Sequence, residues 1–214
     1  MAVSINGSGS LTGVTAVSST TYGTTAPSSP VTGQVWVDTN TTPPTGKVYS
    51  GSAWVSFSKA SVADFSNTAT GTYTSSGINY KYVAFTSTGT LTITRSGDVD
   101  VLVVGAGTGG NDAPNPRGGQ TIERTYYLSA GTYTATVGSG GAPGSSGGAS
   151  YLDLIGANGG AWGGTNYGIV NSSITGTSLA YGGTAWPIRA NSGQGAFTGG
   201  ATGAAGIVVV RVQV

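Results

Sequence analysis

The 214-residue chain contains no cysteine and no histidine, and only 7% of its residues are charged. Without cysteine, no disulfide and no thiolate metal site can form. Without histidine, there can be no Ser-His or Cys-His nucleophile pair and no ordinary zinc site. The eight Lys and Arg residues are scattered, whereas proteins that bind phosphate backbones cluster them. These absences favour a protein that is not an enzyme and does not bind nucleic acid.

Long hydrophobic runs are also missing. No apolar stretch approaches the roughly 18 to 20 residues that span a bilayer, and the opening MAVSINGSGSLTGV lacks the basic start and apolar core of a secretion signal. We therefore expect no membrane insertion. A formal net charge of +1 gives little repulsion between copies, which favours self-association.

The few carboxylates offer little chemistry. Asp98 and Asp100 are two apart, so on a strand they face the same side, as paired catalytic carboxylates or a calcium site with Asp112 would require. A solvated strand end explains them more simply. The run GAGTGG (105–110) is similar to a dinucleotide-binding fingerprint, but two prolines and no helical pattern follow it. We expect no cofactor, no metal and no catalytic residue.

Gly, Pro, Thr, Ser and Val interrupt every candidate helix, so the composition predicts an all-β fold. Two nearly continuous apolar runs, VDVLVVG (99–105) and GIVVVRVQV (206–214), are typical of strands covered on both faces. GTYTATVG (131–138) alternates instead, as a half-buried strand does. The predicted strands are Gln34–Asp38, Lys47–Ser50, Ala53–Phe57, Tyr80–Thr86, Thr90–Arg95, Val99–Gly105, Thr121–Leu128, Thr132–Val137, Ala149–Ile155 and Ile207–Val214.

Three regions follow from this pattern. Residues 1–30 have almost no periodicity and are predicted to form an extended arm. Residues 31–60 predict a small β-meander with a core of Trp36, Tyr49, Trp54 and Phe57. Residues 61–214 predict a glycine-rich β-sandwich or jelly-roll-like domain with long glycine-rich loops.

Glycine is concentrated in that last region, where 28 of the 39 glycines lie between residues 105 and 206. Two interpretations are open: the glycines supply the positive φ angles of tight turns, or they let extended helices of three residues per turn pack side by side. The irregular spacing favours turns. Aromatic residues stand among these glycines and are either core residues or contacts for a ligand such as a sugar: Trp162, Tyr167, Tyr181 and Trp186.

Four motifs occur in order over residues 70–214: YKYVAFTSTGTLTITRSGDVDVLVVGAGTGG, LSAGTYTATVGSGG, GGASYLDLIGANGGAWGG and GAAGIVVVRV. This part of the chain resembles the glycine-rich domain of bacteriophage virion proteins, particularly tail-fibre-like ones. GQVWVDTNTTPPTGKVYSGSAWVSF is similar to a short element of phage tail and fibre proteins, and the N-terminus is similar to those of small cyanophage structural proteins. In this chain, NDAPNPRGG and GQGAFTGGATGAAG interrupt the long glycine runs usual in the family.

The resemblance implies a virion protein on the tail or capsid surface with no enzymatic activity. We expect a tail-fibre or adhesin component that contacts a host surface glycan through Trp162, Tyr167, Tyr181 and Trp186, with other virion proteins as partners. Trp36, Tyr49 and Trp54 are the candidates for docking on the particle, and a homotrimer is expected because fibre-like virion proteins favour it. Two alternatives are a decoration (cement) protein that stabilises the particle and a polysaccharide depolymerase.

Overall fold

A computed structural model describes residues 4–5, 11–12, 20–41, 44–56, 62–110, 116–164, 167–185 and 187–214 of the chain. All regular secondary structure in these ranges is β-strand, as the composition predicted, and they contain no helix long and apolar enough to cross a membrane. The strands divide between two compact units, residues 1–59 and 60–214.

The N-terminal unit is built around a four-stranded sheet in the order β3-β4-β5-β6. The last three strands form the predicted antiparallel meander. β3 pairs in parallel with β4, so Thr20–Gly23 belong to the sheet and the prediction of an extended arm is wrong for them. The strands of this unit are β1 (Ser4–Ile5), β2 (Leu11–Thr12), β3 (Thr20–Gly23), β4 (Val35–Asp38), β5 (Thr45–Tyr49) and β6 (Trp54–Ser56).

Three aromatic rings pack together on one face of this small sheet. Trp36 is buried, and its ring lies edge-on to Trp54 with 5.5 Å between centroids. Tyr49 contacts Trp54 at 5.4 Å. The indole N–H of Trp36 donates to the carbonyl of Gly23 at 3.1 Å, which ties β3 to the cluster. Three of the four predicted core residues therefore meet, and Phe57 lies outside the described residues.

The second unit contains a β-sandwich of two five-stranded sheets, β15-β14-β13-β10-β7 and β12-β11-β20-β9-β8, in which every pairing is antiparallel. The antiparallel pair β16–β17 and the parallel pair β18–β19 form two further two-stranded sheets outside the sandwich. The strands are β7 (Asp64–Phe65), β8 (Gly71–Ser75), β9 (Ile78–Phe85), β10 (Gly89–Arg95), β11 (Gly97–Val104), β12 (Thr121–Leu128), β13 (Gly131–Thr136), β14 (Ser150–Leu152), β15 (Ile155–Ala157), β16 (Val170–Ser172), β17 (Leu179–Tyr181), β18 (Thr184–Ala185), β19 (Gly195–Ala196) and β20 (Ile207–Gln213).

The central strands β11 and β20 bury side chains on both faces, which explains their nearly continuous apolar sequences. One face packs into the sandwich core through Val99, Val101 and Val103 of β11 and Val208, Val210 and Val212 of β20. The opposite face forms a second buried cluster, in which Leu102, Val104, Ile207 and Val209 pack with Ile174 and Tyr181. Residues 169–181 therefore form a third layer over the sandwich.

The predicted strand Ala149–Ile155 is wrong as a single element. It divides into β14 and β15, which pair with each other as a hairpin. Asp153 adopts a positive φ of 47° at the turn, a conformation that Asp tolerates better than most residues. Its carboxylate accepts a 2.6 Å hydrogen bond from the backbone N–H of Thr134, which fixes the turn against β13.

The glycine-rich stretches between the strands contain packed segments, so for these stretches the less favoured of the two interpretations, packed extended helices, is the correct one. A central segment, residues 105–110, donates backbone hydrogen bonds of 2.7 to 3.1 Å to three neighbours that run in the opposite direction. Each neighbour receives two bonds from residues three apart. The pairs are Gly105 to Gln120 and Thr108 to Arg117, Ala106 to Gly148 and Gly109 to Ser145, and Gly107 to Ala204 and Gly110 to Ala201.

Three more neighbours donate to the carbonyls of the central segment. Gly160 donates to Ala106, Gly141 to Gly107 and Ala196 to Thr108, at 2.8 to 3.0 Å. Six segments thus surround one, because a helix of three residues per turn points successive backbone groups about 120° apart. We call this array the glycine bundle. Its members are 105–110, 116–120, 138–141, 145–148, 158–160, 193–196 and 201–204.

A salt bridge at the edge of the sandwich stabilises the fold to an extent that depends on pH. Lys81 Nζ lies 2.6 Å from Asp64 Oδ1, and this hydrogen bond lowers the pKa of Asp64 below its usual value. Its stabilisation is present above the unfolded pKa of about 3.9 and is lost as the pH falls through the lower folded pKa. We expect Asp64→Asn to lose less thermal stability than the wild type between about pH 5 and pH 2, as measured by calorimetry. Asp98→Asn, at an exposed position, is the control, and equal losses in Asp64→Asn and the wild type would contradict the assignment.

Candidate functional site

The glycine bundle continues the strands of the sandwich and has a distinct far end. The central segment follows directly from β11, and 138–141 and 158–160 follow from β13 and β15. The segments that run back lead into β12, β14 and β20. Residue 105 therefore lies beside the sandwich and residue 110 lies away from it. We call the end of the bundle near residue 110 the distal end.

Three turns of one type close the bundle at the distal end. They span 142–145, 161–164 and 198–201, and in each the last N–H donates to the first carbonyl at 2.8 to 3.1 Å. The third residue of each turn is a glycine with a positive φ: Gly144 at 71°, Gly163 at 69° and Gly200 at 78°. A positive φ at this position defines a type II turn and favours glycine there. The turn interpretation of the glycines is correct for these positions.

The turns display apolar side chains to solvent. Trp162 occupies the second position of its turn and is 36% exposed, and Phe197, which precedes the third turn, is 51% exposed. The turn sequences APGS, AWGG and TGGA contain no charged residue. An exposed tryptophan with few rotatable bonds provides a large contact area at low entropic cost, as protein and sugar binding sites use it.

The position of Trp162 is fixed by hydrogen bonds. Its backbone N–H donates to Ser146 Oγ at 2.9 Å, so the 161–164 turn is bonded to the residue that follows the 142–145 turn. The N–H of Gly147 donates to the carbonyl of Gly160 at 2.9 Å on the same two segments. The backbone that carries the ring is therefore rigid, and ligand binding costs little conformational entropy there.

The other three predicted contact residues differ in their placement. Tyr181 is only 1% exposed in the second buried cluster, with the Arg189 guanidinium 4.7 Å from its ring centroid, and burial raises the pKa of its phenol. It is a core residue, so its assignment as a ligand contact is wrong. Tyr167 is half-buried, and its carbonyl accepts from Gly183. Trp186 lies outside the described residues.

The candidates for docking on the particle lie in the N-terminal unit. Trp36 is buried and Tyr49 and Trp54 are half-buried, so the first of these cannot itself contact a partner on the surface. Among the described residues of the unit, the exposed large apolar side chains are Tyr22, 75% exposed, Val55, 50% exposed, and Val31. Tyr22 and Val55 lie on the face of the sheet opposite the aromatic cluster, because neighbouring residues of a strand point to opposite faces.

One of the two carboxylates of β11, that of Asp100, has structural partners. Asp100 Oδ2 accepts from Arg211 at 2.6 Å, and Thr125 donates to Asp100 Oδ1 at 2.6 Å. Burial lowers the pKa of Arg211, but the hydrogen bonds to Asp100 and Tyr73 outweigh it and raise the pKa above its usual value. Asp98 is exposed on the same strand, and Asp112 lies outside the described residues. Within the described ranges, no group of three acidic side chains is placed to hold a metal ion.

No protein-family model, curated protein or solved structure matches the chain. The function proposed below therefore rests on the residues and on the geometry of the distal end.

Proposed function

We propose that the protein is a non-enzymatic structural component of a bacteriophage particle, of the tail-fibre or adhesin type, which contacts the host surface through its distal turns. The four ordered motifs that resemble phage glycine-rich domains support the virion assignment. The observation that carries the contact surface is the set of three type II turns that present Trp162 and Phe197 at one end of a rigid bundle.

The bundle suits a recognition surface because its rigidity does not depend on which side chains its turns expose. Its segments are held together by backbone hydrogen bonds and by close approach between glycines. The side chains of the turns that join the segments are therefore not needed for packing. The second position of each turn differs, with Pro143, Trp162 and Gly199. Such a scaffold can change its exposed side chains without changing its core.

A host glycan is the proposed ligand, and other virion proteins and further copies of the chain, as a homotrimer, are the proposed partners. The flat indole face of Trp162 matches the apolar face of a sugar ring, and the backbone groups of the neighbouring turns offer donors and acceptors to its hydroxyls. In this proposal the N-terminal unit docks on the particle through the exposed Tyr22 and Val55.

We expect particles that carry Trp162→Ala to adsorb to host cells at least about tenfold less than the wild type, because a central aromatic anchor commonly contributes more than about 1.4 kcal/mol to binding. The midpoint of thermal unfolding of the purified protein should fall much less than the roughly 3 to 5 kcal/mol loss of a fully buried tryptophan would cause, since 36% of Trp162 is exposed. Tyr127→Ala is the matched control. Tyr127 is 65% exposed on β12, opposite Asp98 at the end of the sheet away from the bundle.

Unchanged adsorption of Trp162→Ala particles would contradict the contact surface. A parallel fall in adsorption and thermal stability would instead assign Trp162 to the fold. The location is measured separately, by viewing intact particles labelled with a gold-tagged antibody against the protein. Label at the tail end is expected, and label spread over the head would overturn the tail-fibre assignment in favour of a decoration protein.

A further inference from the structure

Among the residues that the structure describes, Arg117 of the glycine bundle has no ion-pair partner. Its backbone is fixed from both sides, because its N–H donates to Thr108 Oγ1 at 2.8 Å and its carbonyl accepts from the Thr108 N–H at 2.9 Å. Its side chain is half-buried, and Nε is fully buried with no hydrogen-bond partner. No carboxylate in the described ranges forms an ion pair with it.

A half-buried guanidinium with an unsatisfied donor is unfavourable for the fold. Burying a charge or a polar group without a partner costs free energy that a neutral side chain would not. Positions where a sequence accepts such a cost are often functional sites, where an anionic ligand offsets the buried charge. The group that satisfies a guanidinium best is a carboxylate or phosphate, which accepts two parallel N–H bonds.

The three-residue period of the bundle places Arg117 beside the turn that carries Trp162. Arg117 and Gln120 are three apart and so lie on one face of their segment, about 9 Å from each other. Gln120 Oε1 accepts from the N–H of Asn158 at 3.1 Å, so this face is turned towards the segment 158–160. That segment runs in the opposite direction, and Gly160 approaches Arg117 so closely that a Cβ at Gly160 would lie 2.3 Å from the Arg117 carbonyl oxygen. Trp162 follows two residues later.

We infer that Arg117 and Trp162 form a subsite for an anionic sugar, in which the guanidinium binds the carboxylate or phosphate and the indole face stacks on the ring. The inference rests on the proposed function and adds the class of ligand to it. The three distal turns themselves contain no charged residue, so Arg117 is the cation that the subsite would use. A neutral sugar would leave the guanidinium unsatisfied and would bind less tightly.

The test is an NMR titration of the full chain with D-glucuronate, D-glucose 6-phosphate and D-glucose, following the indole N–H resonance of Trp162, assigned by its loss in Trp162→Phe. At least one of the two anionic sugars should bind about tenfold or more tightly than glucose, and its affinity should fall as sodium chloride is raised. Tighter binding of glucuronate identifies a carboxylate ligand, and tighter binding of glucose 6-phosphate identifies a phosphate ligand. Equal affinity for all three sugars, or none for any, overturns the inference.

Variants separate a binding role from a structural one. Arg117→Gln should weaken binding of the anionic sugar about tenfold or more, and Arg117→Lys should weaken it less, because it keeps the charge but loses the paired donors. The unfolding midpoint of Arg117→Gln should be unchanged or higher, since an unsatisfied charge is removed. A lower midpoint together with lost binding would make Arg117 structural and overturn the inference. Arg124→Gln, at an exposed position on β12, is the matched control and should bind as the wild type does.

The two proposals fail in different ways. If the sugars do not bind in solution but Trp162→Ala particles still lose adsorption, the anionic subsite is wrong and the contact surface stands. If glucuronate binds through Arg117 but adsorption does not depend on Trp162, the subsite stands and host contact through this surface is wrong.

Discussion

Gly107→Ala should destabilise the second unit by at least about 3 kcal/mol, the upper part of the range for overpacking a well-packed core. Gly107 lies in the middle of the central segment, and a Cβ there would lie 2.1 Å from the carbonyl oxygen of Gln194 and 2.3 Å from its carbonyl carbon. Both atoms belong to the backbone, so no side chain can rotate away. The methyl group would have to push two segments of the bundle apart and strain their hydrogen bonds.

The free energy of unfolding of the second unit is measured in urea, with hydrogen exchange of peptides from residues 60–214 as the signal. Gly168→Ala is the control, because no atom lies within 4 Å of a Cβ at Gly168 and its φ is not in the left-handed region. It should be neutral or stabilising by up to about 1 kcal/mol, since alanine reduces the entropy of the unfolded chain. A change of less than about 1 kcal/mol in Gly107→Ala would show that the segments are separated loops.

The strands were accessible to sequence analysis because their signals are local. The continuous apolar runs of β11 and β20 predict burial on both faces, and the structure provides a layer on each side of them. The third layer itself was not predicted. Its strands β16 and β17 are three residues long, and the Ile174 side chain that fills the cluster lies between them in a stretch of Ser, Thr and Gly without periodicity.

The sequence analysis named packed helices as an alternative but favoured turns, because the period of the glycine bundle is hidden in the sequence. Each segment is only three to six residues long, and only the positions that approach another backbone require glycine. Ala106 and Thr108 are fully buried in the central segment beside four glycines. Turn glycines such as Gly144 are mixed with packing glycines such as Gly107 in one sequence. The strict triplet repeat that would have indicated packed helices is therefore absent, although the hydrogen bonds follow a three-residue period.

The placement of the candidate site residues could not be predicted from local sequence either. Trp162 and Tyr181 are both followed by two glycines, but the first stands at the second position of a turn and the second ends β17 under Arg189. Nothing local distinguishes them, because the difference depends on which segments lie beside each. Arg117 was visible only as one scattered cation, and its unsatisfied Nε depends on the packing of the bundle around it.

Ile174→Ala should destabilise the second unit by about 2 to 4 kcal/mol, as expected for removal of a large buried aliphatic side chain. Ile174 is fully buried against Leu102, Val104 and Val209, on the face of the sheet opposite the sandwich core. Its backbone is also held, because its N–H donates to Ser172 Oγ and its carbonyl accepts from the Tyr73 hydroxyl, both at 3.2 Å. The surroundings therefore cannot collapse easily into the cavity, which keeps the loss large.

Ile169→Ala is the matched control for this layer, because Ile169 lies in the same stretch of chain but is 56% exposed. It should change stability by no more than about 0.5 kcal/mol. A surface loop over a two-layer sandwich would give small effects at both positions, whereas a third layer gives a large one at Ile174 alone. The comparison thus decides whether residues 169–181 are part of the folding unit, and it does so independently of the glycine bundle, since Ile174 packs on the strands of the sandwich rather than on the bundle.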